Sequence, residues 1–175
     1  MKKVEIKDLL RIAVFAALTA VGAFLRIPAG HSSFTLQFFF CCMAGFLLGP
    51  YQAAASQLIY VLLGLMGLPV FVEGGGLTYL ARPGFGFLLG LIPAAFLIGL
   101  FSKSRLPRHR AFSAFMGLLA LYAVGLPYYC TVLLGEFGLT WELVGSCLLF
   151  LPFDLLKILC ALWLSSRLDK PLKGK

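Results

Sequence analysis

Twelve of the fifteen lysines and arginines fall into three short clusters, and the stretches between them are almost free of charge. Lys2, Lys3, Lys7 and Arg11 sit at the N-terminus. Lys103, Arg105, Arg108 and Arg110 share one polar stretch. Arg167, Lys170, Lys173 and Lys175 close the chain. Outside the clusters stand only Arg26, Arg82 and Lys157. Such a chain cannot clothe itself in polar surface. It is 61% hydrophobic and 13% charged, with a mean hydropathy of +0.96, where a soluble domain is about 45–50% apolar and about 25% charged. A soluble enzyme, a disordered tail and a secreted disulfide scaffold are all excluded as fits. The expectation is an all-α membrane protein forming one integral membrane domain over residues 1–175.

A span takes about 20 residues, so the length holds at most about six or seven. Six apolar segments can be drawn, over about 9–27, 35–48, 51–66, 84–101, 111–134 and 141–168. Gly49-Pro50 separates the second from the third, and Pro127 lies inside the fifth as a kink. The N-terminus mimics a signal peptide, but its apolar run continues to about Ile27 without a small-residue cleavage site, so it is expected to stay as a first span. With six spans, all three basic clusters lie on one side, and the positive-inside rule puts both termini in the cytoplasm. Five or seven spans would place a basic terminus outside. The net charge of +8 is then topology and attraction to anionic lipid, with no nucleic acid implied.

Ionisable groups inside spans are costly and each needs a reason. Asp154 and Lys157 are three residues apart and share a helix face. They are either a mutually neutralised structural pair or a polar patch on a substrate cavity. The second is favoured, because an apolar pair would be cheaper and Pro152 loosens the helix just before them. Between the third and fourth segments, Gly67–Pro83 is too apolar for an ordinary loop and too rich in glycine and proline for a helix. There Gly74, Gly75 and Gly76 allow close backbone approach to a ligand. Arg82 offers a guanidinium suited to a carboxylate, or faces lipid headgroups. Tyr79 and Phe71 could wall an apolar slot or belong to an interfacial belt. Gln37 offers an amide donor and acceptor, or bonds at a helix start. Ala13 and Ala17 form a small-residue face for a neighbouring helix, within this chain or on a partner.

No catalytic residues are found. The chain lacks HExxH, G-x-S-x-G and a Walker lysine motif, so it is not expected to hydrolyse ATP. His31 and His109 fall in loops on opposite sides, and no metal site is expected. Cys41, Cys42, Cys130, Cys147 and Cys160 contain no C-x-x-C and read as small apolar residues. The repeated Gly-Phe-Leu-Leu-Gly at 45–49 and 86–90 has unmatched flanks and reads as chance.

Several of these pieces together resemble a known family. They are Ala13-x-x-x-Ala17, Thr35-Leu36-Gln37, the run Tyr60–Phe71 ending Gly-Leu-Pro-Val-Phe, the glycines 74–76, Arg82-Pro-Gly-Phe-Gly-Phe-Leu-Leu-Gly90, and Leu151–Lys157. The chain is similar to the biotin-specific substrate-binding (S) components of energy-coupling-factor transporters, the BioY family. The resemblance implies a six-helix bundle in the cell membrane that captures biotin outside. It implies docking through Ala13 and Ala17 onto a coupling transmembrane subunit that carries two ATP-binding subunits. It implies ligand-site roles for Asp154, Lys157, Arg82 and Gln37, to which Tyr79 is added here. No cofactor is implied beyond the ligand. An S component for another small vitamin, or a structural subunit of a membrane complex, are the alternatives.

The chemistry of biotin suits these groups. Asp154 would accept from the ureido N–H groups, Lys157 would donate to the ligand or steady Asp154, and Arg82 would pair with the valerate carboxylate. One tension follows from helix geometry. If the sixth span begins at Trp141, Asp154 and Lys157 lie about 20 Å down it, far from an outer loop. A helix that begins later and a loop that dips inward are both expected.

Overall fold

The computed structural model describes residues 5–29, 32–102, 106–133, 145 and 151–168. Among these, apolar runs punctuated by glycine and proline become six helices: α1 (Ile6–Phe24), α2 (Gln37–Leu48), α3 (Pro50–Leu65), α4 (Phe85–Phe101), α5 (Pro107–Leu133) and α6 (Leu151–Leu168). A short 3-10 turn, Leu77–Ala81, lies in the loop before α4. Expectations that fall on Lys2, Lys3, Gly30, His31, Lys103, Arg105, Trp141, Cys147, Lys170, Lys173 and Lys175 lie outside the described residues.

The first helix shows how the faces are assigned. Ile12, Ala16, Thr19 and Ala23 recur at three- and four-residue intervals and are buried. Val14, Val21 and Phe24 on its other sides are exposed, as are Leu62, Phe115, Leu159 and Trp163 on later helices. A soluble monomer rarely leaves so much apolar surface open. By length and composition, one described helical stretch, Pro107–Val132, passes as a membrane span, while α2 and α4 are apolar but shorter.

The turn between α2 and α3 needs a backbone that few residues adopt. Gly49 has φ +84°, which only glycine takes without strain, and Pro50 opens α3 where its missing N–H costs nothing. α4 crosses this turn so closely that a Cβ on Gly99 would sit 2.5 Å from the backbone of Gly49 and Pro50. α4 and α5 meet in the same manner, with Gly86 against Tyr128, Gly90 against Leu121 and Gly125 against Phe87. In lipid, where tails are as apolar as leucine, close packing of this kind holds helices together. α2 runs through the middle, with Gln37, Phe38 and the whole of Cys41–Phe46 buried.

Three expectations need correction. The all-α reading missed a hairpin, in which β1 (Arg26–Ala29) pairs antiparallel with β2 (Ser32–Thr35). It ends the first helical stretch at Phe24 rather than at 27, and α2 begins at Gln37 rather than at 35. The polar stretch before the fifth segment is partly helical. α5 starts at Pro107, so Arg108, His109 and Arg110 belong to its first turn. Arg110 is not a solvated linker residue at all. It is buried, donates from Nη1 to Ser165 Oγ at 3.1 Å, and stacks on Phe46 at 5.7 Å.

Candidate functional site

Helix α6 carries Asp154 and Lys157 on one face, as their spacing requires. Lys157 Nζ donates to Asp154 Oδ1 at 2.7 Å, and both side chains are about nine-tenths buried. A third group completes the cluster. Tyr122, on α5, donates its phenol O–H to Asp154 Oδ2 at 2.8 Å. Helix α2 packs against α6 as well. The carboxylate therefore sits where α2, α5 and α6 converge. A buried carboxylate with one donor on each oxygen keeps further lone pairs for a ligand N–H, and the ammonium beside it can donate a hydrogen bond to a ligand carbonyl.

A second polar group stands at the N-terminal end of α2. Gln37 is buried, accepts from Thr35 Oγ1 at 2.8 Å and donates to Tyr60 OH at 2.7 Å. Tyr60 in turn donates to the carbonyl of Val70 at 3.1 Å. This chain of bonds ties α2 and α3 to the 66–76 loop. Removing the Tyr60 hydroxyl strands a buried amide N–H and a loop carbonyl. Tyr60→Phe is expected to lose about 1–3 kcal/mol of stability. Thermal unfolding in detergent checks it, and an unchanged midpoint would show that the bonds contribute nothing net.

The loop folds over this chain. Phe71 is buried and packs on Tyr79, Tyr60 and Phe85, with ring centroids 4.6, 5.6 and 6.5 Å away. Tyr79 and Phe71 therefore pack ring against ring. The glycine run approaches this chain's own backbone. Gly76 N–H donates to Gly64 O at 2.7 Å, and a Cβ on Gly75 would lie 2.1 Å from Leu68 O. Burial pushes the Tyr79 phenol above its usual range, and the Glu73 carboxylate adds to the push. It therefore stays neutral at physiological pH.

Arg82 lies at the open edge. It is 60% exposed and pairs with Glu73 at 3.4 Å, while Arg26 donates to the carbonyl of Val72 at 2.7 Å. Arg82 thus engages the carboxylate of this loop and Arg26 its backbone. The structure brings Gln37, the glycines, Tyr79 and Arg82 to the 66–82 loop, and Asp154 and Lys157 to a separate cluster with Tyr122. The levels are linked through aromatic rings. Tyr128 packs on Phe85 at 5.8 Å, and Tyr122, six residues earlier on the same helix, packs on Phe87 at 5.8 Å. Six helical residues amount to about 9 Å of depth. Ala13 and Ala17 are exposed on α1, while Ala16, one step round, is buried. Among the described residues no group of three or more His, Cys, Asp or Glu could hold a metal ion.

Sequence reasoning did not single out Tyr122. Its partner is 32 residues away, and a tyrosine among membrane aromatics ordinarily reads as an interfacial anchor. Gln57, too, was not singled out; it is fully buried and donates to Thr19 Oγ1 at 3.2 Å between α1 and α3.

Comparison with known proteins assigns the fold. The profile of the BioY family matches residues 1–174. A probable biotin transporter BioY of Lysinibacillus sphaericus is 46% identical over 131 residues, covering 73% of this chain and 67% of that one. The biotin transporter BioY of Thermotoga maritima is 34% identical over 178 residues, covering 94% and 96%. A crystal structure of the S-component for biotin from an ECF-type ABC transporter superposes with a TM-score of 0.71 at 28% identity, covering 94% of this chain and 92% of that one. These relatives are transport proteins, and the chain is a helical membrane protein of the same fold. On the extent of the family match and the near full-length relatives, it belongs to the BioY family.

Proposed function

We propose that this chain is a biotin uptake component that binds biotin on the outer side of the cell membrane and delivers it inward when docked on an energy-coupling module. The observation that carries the reading is the Asp154 carboxylate, buried in an apolar bundle and held by Lys157 and Tyr122. Burial of such a group is costly, and a ligand bearing both N–H donors and a carbonyl repays it. The ureido ring of biotin has both. The family membership and the biotin named in its relatives support the same ligand.

The ring end lies at Asp154 and Lys157, the tail runs outward along the aromatic layer, and the valerate carboxylate meets Arg82 at the mouth. Gln37, Tyr79 and the 74–76 backbone border the path. Glu73 occupies Arg82 in the ligand-free chain and yields to the ligand's carboxylate. The chain takes the six-span arrangement as a single domain, with both basic termini in the cytoplasm. The exposed Ala13 and Ala17 face of α1 receives the coupling transmembrane subunit, and two ATP-binding subunits on that partner supply the energy.

The test is calorimetric titration of the purified chain in detergent with biotin, alongside a panel of other vitamins. Saturable binding of biotin alone is expected, and no heat at micromolar biotin would refute the reading. Arg82→Ala is expected to weaken biotin by roughly tenfold, the size of one charge-assisted contact at a partly solvated site. The same change should leave the affinity for biotin methyl ester nearly unchanged, since the ester has no carboxylate to lose.

A further inference from the structure

Tyr122 is held more firmly than a lipid-facing tyrosine would be. Its ring packs edge-on against Phe87 of α4, at 5.8 Å between centroids. Phe87 itself packs on Gly125, where a Cβ would come within 2.4 Å of its ring, and on Tyr129 at 6.2 Å between centroids. From its packed ring the Tyr122 phenol O–H donates to Asp154 Oδ2 at 2.8 Å. Lys157 grips the other oxygen from three residues along the same helix. That bond joins two residues of one helix. The Tyr122 bond ties Asp154 to α5.

From this geometry we infer that Tyr122 is the positioning residue of the site. It locks the Asp154 carboxylate in one orientation so that the remaining lone pairs are aimed at the ligand's N–H donors. The inference rests on the biotin reading above and adds to it the residue that orients the acceptor. The cost of an unaimed carboxylate is paid on binding, when its rotamer must be fixed and its hydrogen bonds rearranged. Gly125 and Phe87 serve the same end at one remove, by bracing the ring.

A cycle of four chains tests it: wild type, Tyr122→Phe, Asp154→Glu, and the two combined, each titrated with biotin and unfolded thermally without it. Tyr122→Phe keeps the ring and is expected to weaken biotin by roughly tenfold to a hundredfold, the range for a hydrogen bond to a charged group. In the Asp154→Glu background the longer side chain no longer meets the phenol, so the same change should cost less than about twofold. Phe87→Leu leaves the phenol present but unbraced and should show a smaller loss in the same direction. A strut between α5 and α6 with no role in binding would lower the unfolding temperature of Tyr122→Phe and leave its affinity as wild type, which overturns the inference. Equal losses in both backgrounds overturn it too, because the phenol then acts by some route other than Asp154. A wild-type chain that does not bind biotin fails the functional reading itself, whereas wild-type binding with an indifferent Tyr122→Phe fails this inference alone.

Discussion

Lys157→Met is expected to destabilise the chain by about 3–5 kcal/mol, and adding Asp154→Leu to it is expected to restore most of that stability without restoring biotin binding. The reasoning follows from burial. Removing the ammonium leaves the Asp154 carboxylate in an apolar bundle with its Oδ1 partner gone. Breaking one side of a buried pair costs about this much, whereas replacing both sides by well-packed apolar groups is often neutral. The double variant keeps a deficit of about 1–2 kcal/mol, since the Tyr122 hydroxyl has lost its acceptor. Thermal unfolding and biotin titration, run on the same samples, read the two quantities separately. A structural pair and a ligand site then give opposite answers. If the double variant binds biotin as wild type does, the cluster is only packing, and the site must be sought elsewhere. If it is stable and blind to biotin, the charges serve the ligand.

Gly64→Ala is expected to be nearly as damaging, although it adds one carbon. A Cβ there would lie 2.0 Å from Cζ and 2.2 Å from Cε1 of Phe71. The ring cannot retreat, because Tyr60, Tyr79 and Phe85 surround it. Phe71 must leave its pocket or the loop must lift. Either way the chain forfeits much of a buried phenylalanine, a loss of about 3 kcal/mol. The loop also carries the Val70 carbonyl that Tyr60 reaches, so biotin affinity should fall by at least about tenfold with it. Gly84→Ala is the control. Gly84 has a helical φ of −65° and nothing within 4 Å of its Cβ position, so its unfolding midpoint should stay at the wild-type value. Equal behaviour of the two variants would mean that Phe71 does not anchor the loop.

Some of this was legible in the chain and some was not, for physical reasons. The segment expected over 84–101 becomes a helix over Phe85–Phe101, because an uninterrupted apolar run has no competing way to satisfy its backbone. The hairpin of 26–35 escaped notice because each strand is only four residues long and one contains Pro28, which argues against a strand. The start of α5 was misplaced because three charged or polar residues in a row read as linker. Nothing in the composition of that stretch shows that Arg110 turns inward to Ser165. At the candidate site, Asp154 and Lys157 announce themselves through a local spacing on one helix. Tyr122 acts across two helices, and local patterns carry no information about such a partner.

The lengths of the helices bear on the lipid around them. α2 has 12 residues and reaches about 18 Å, far short of a hydrocarbon core of about 30 Å. Yet it is ringed by other helices, so it never has to match the bilayer. α3 does. Its 16 residues extend about 24 Å, and Leu58, Ile59 and Leu62 on it are open to the outside. In the six-span arrangement, the annulus beside α3 is pulled thinner than the bulk membrane. The strain is set by acyl-chain length, at a fraction of a kcal/mol for each ångström of mismatch. Short-tailed lipids relieve it, so the thickness of the host membrane becomes one of the determinants of how stable this protein is.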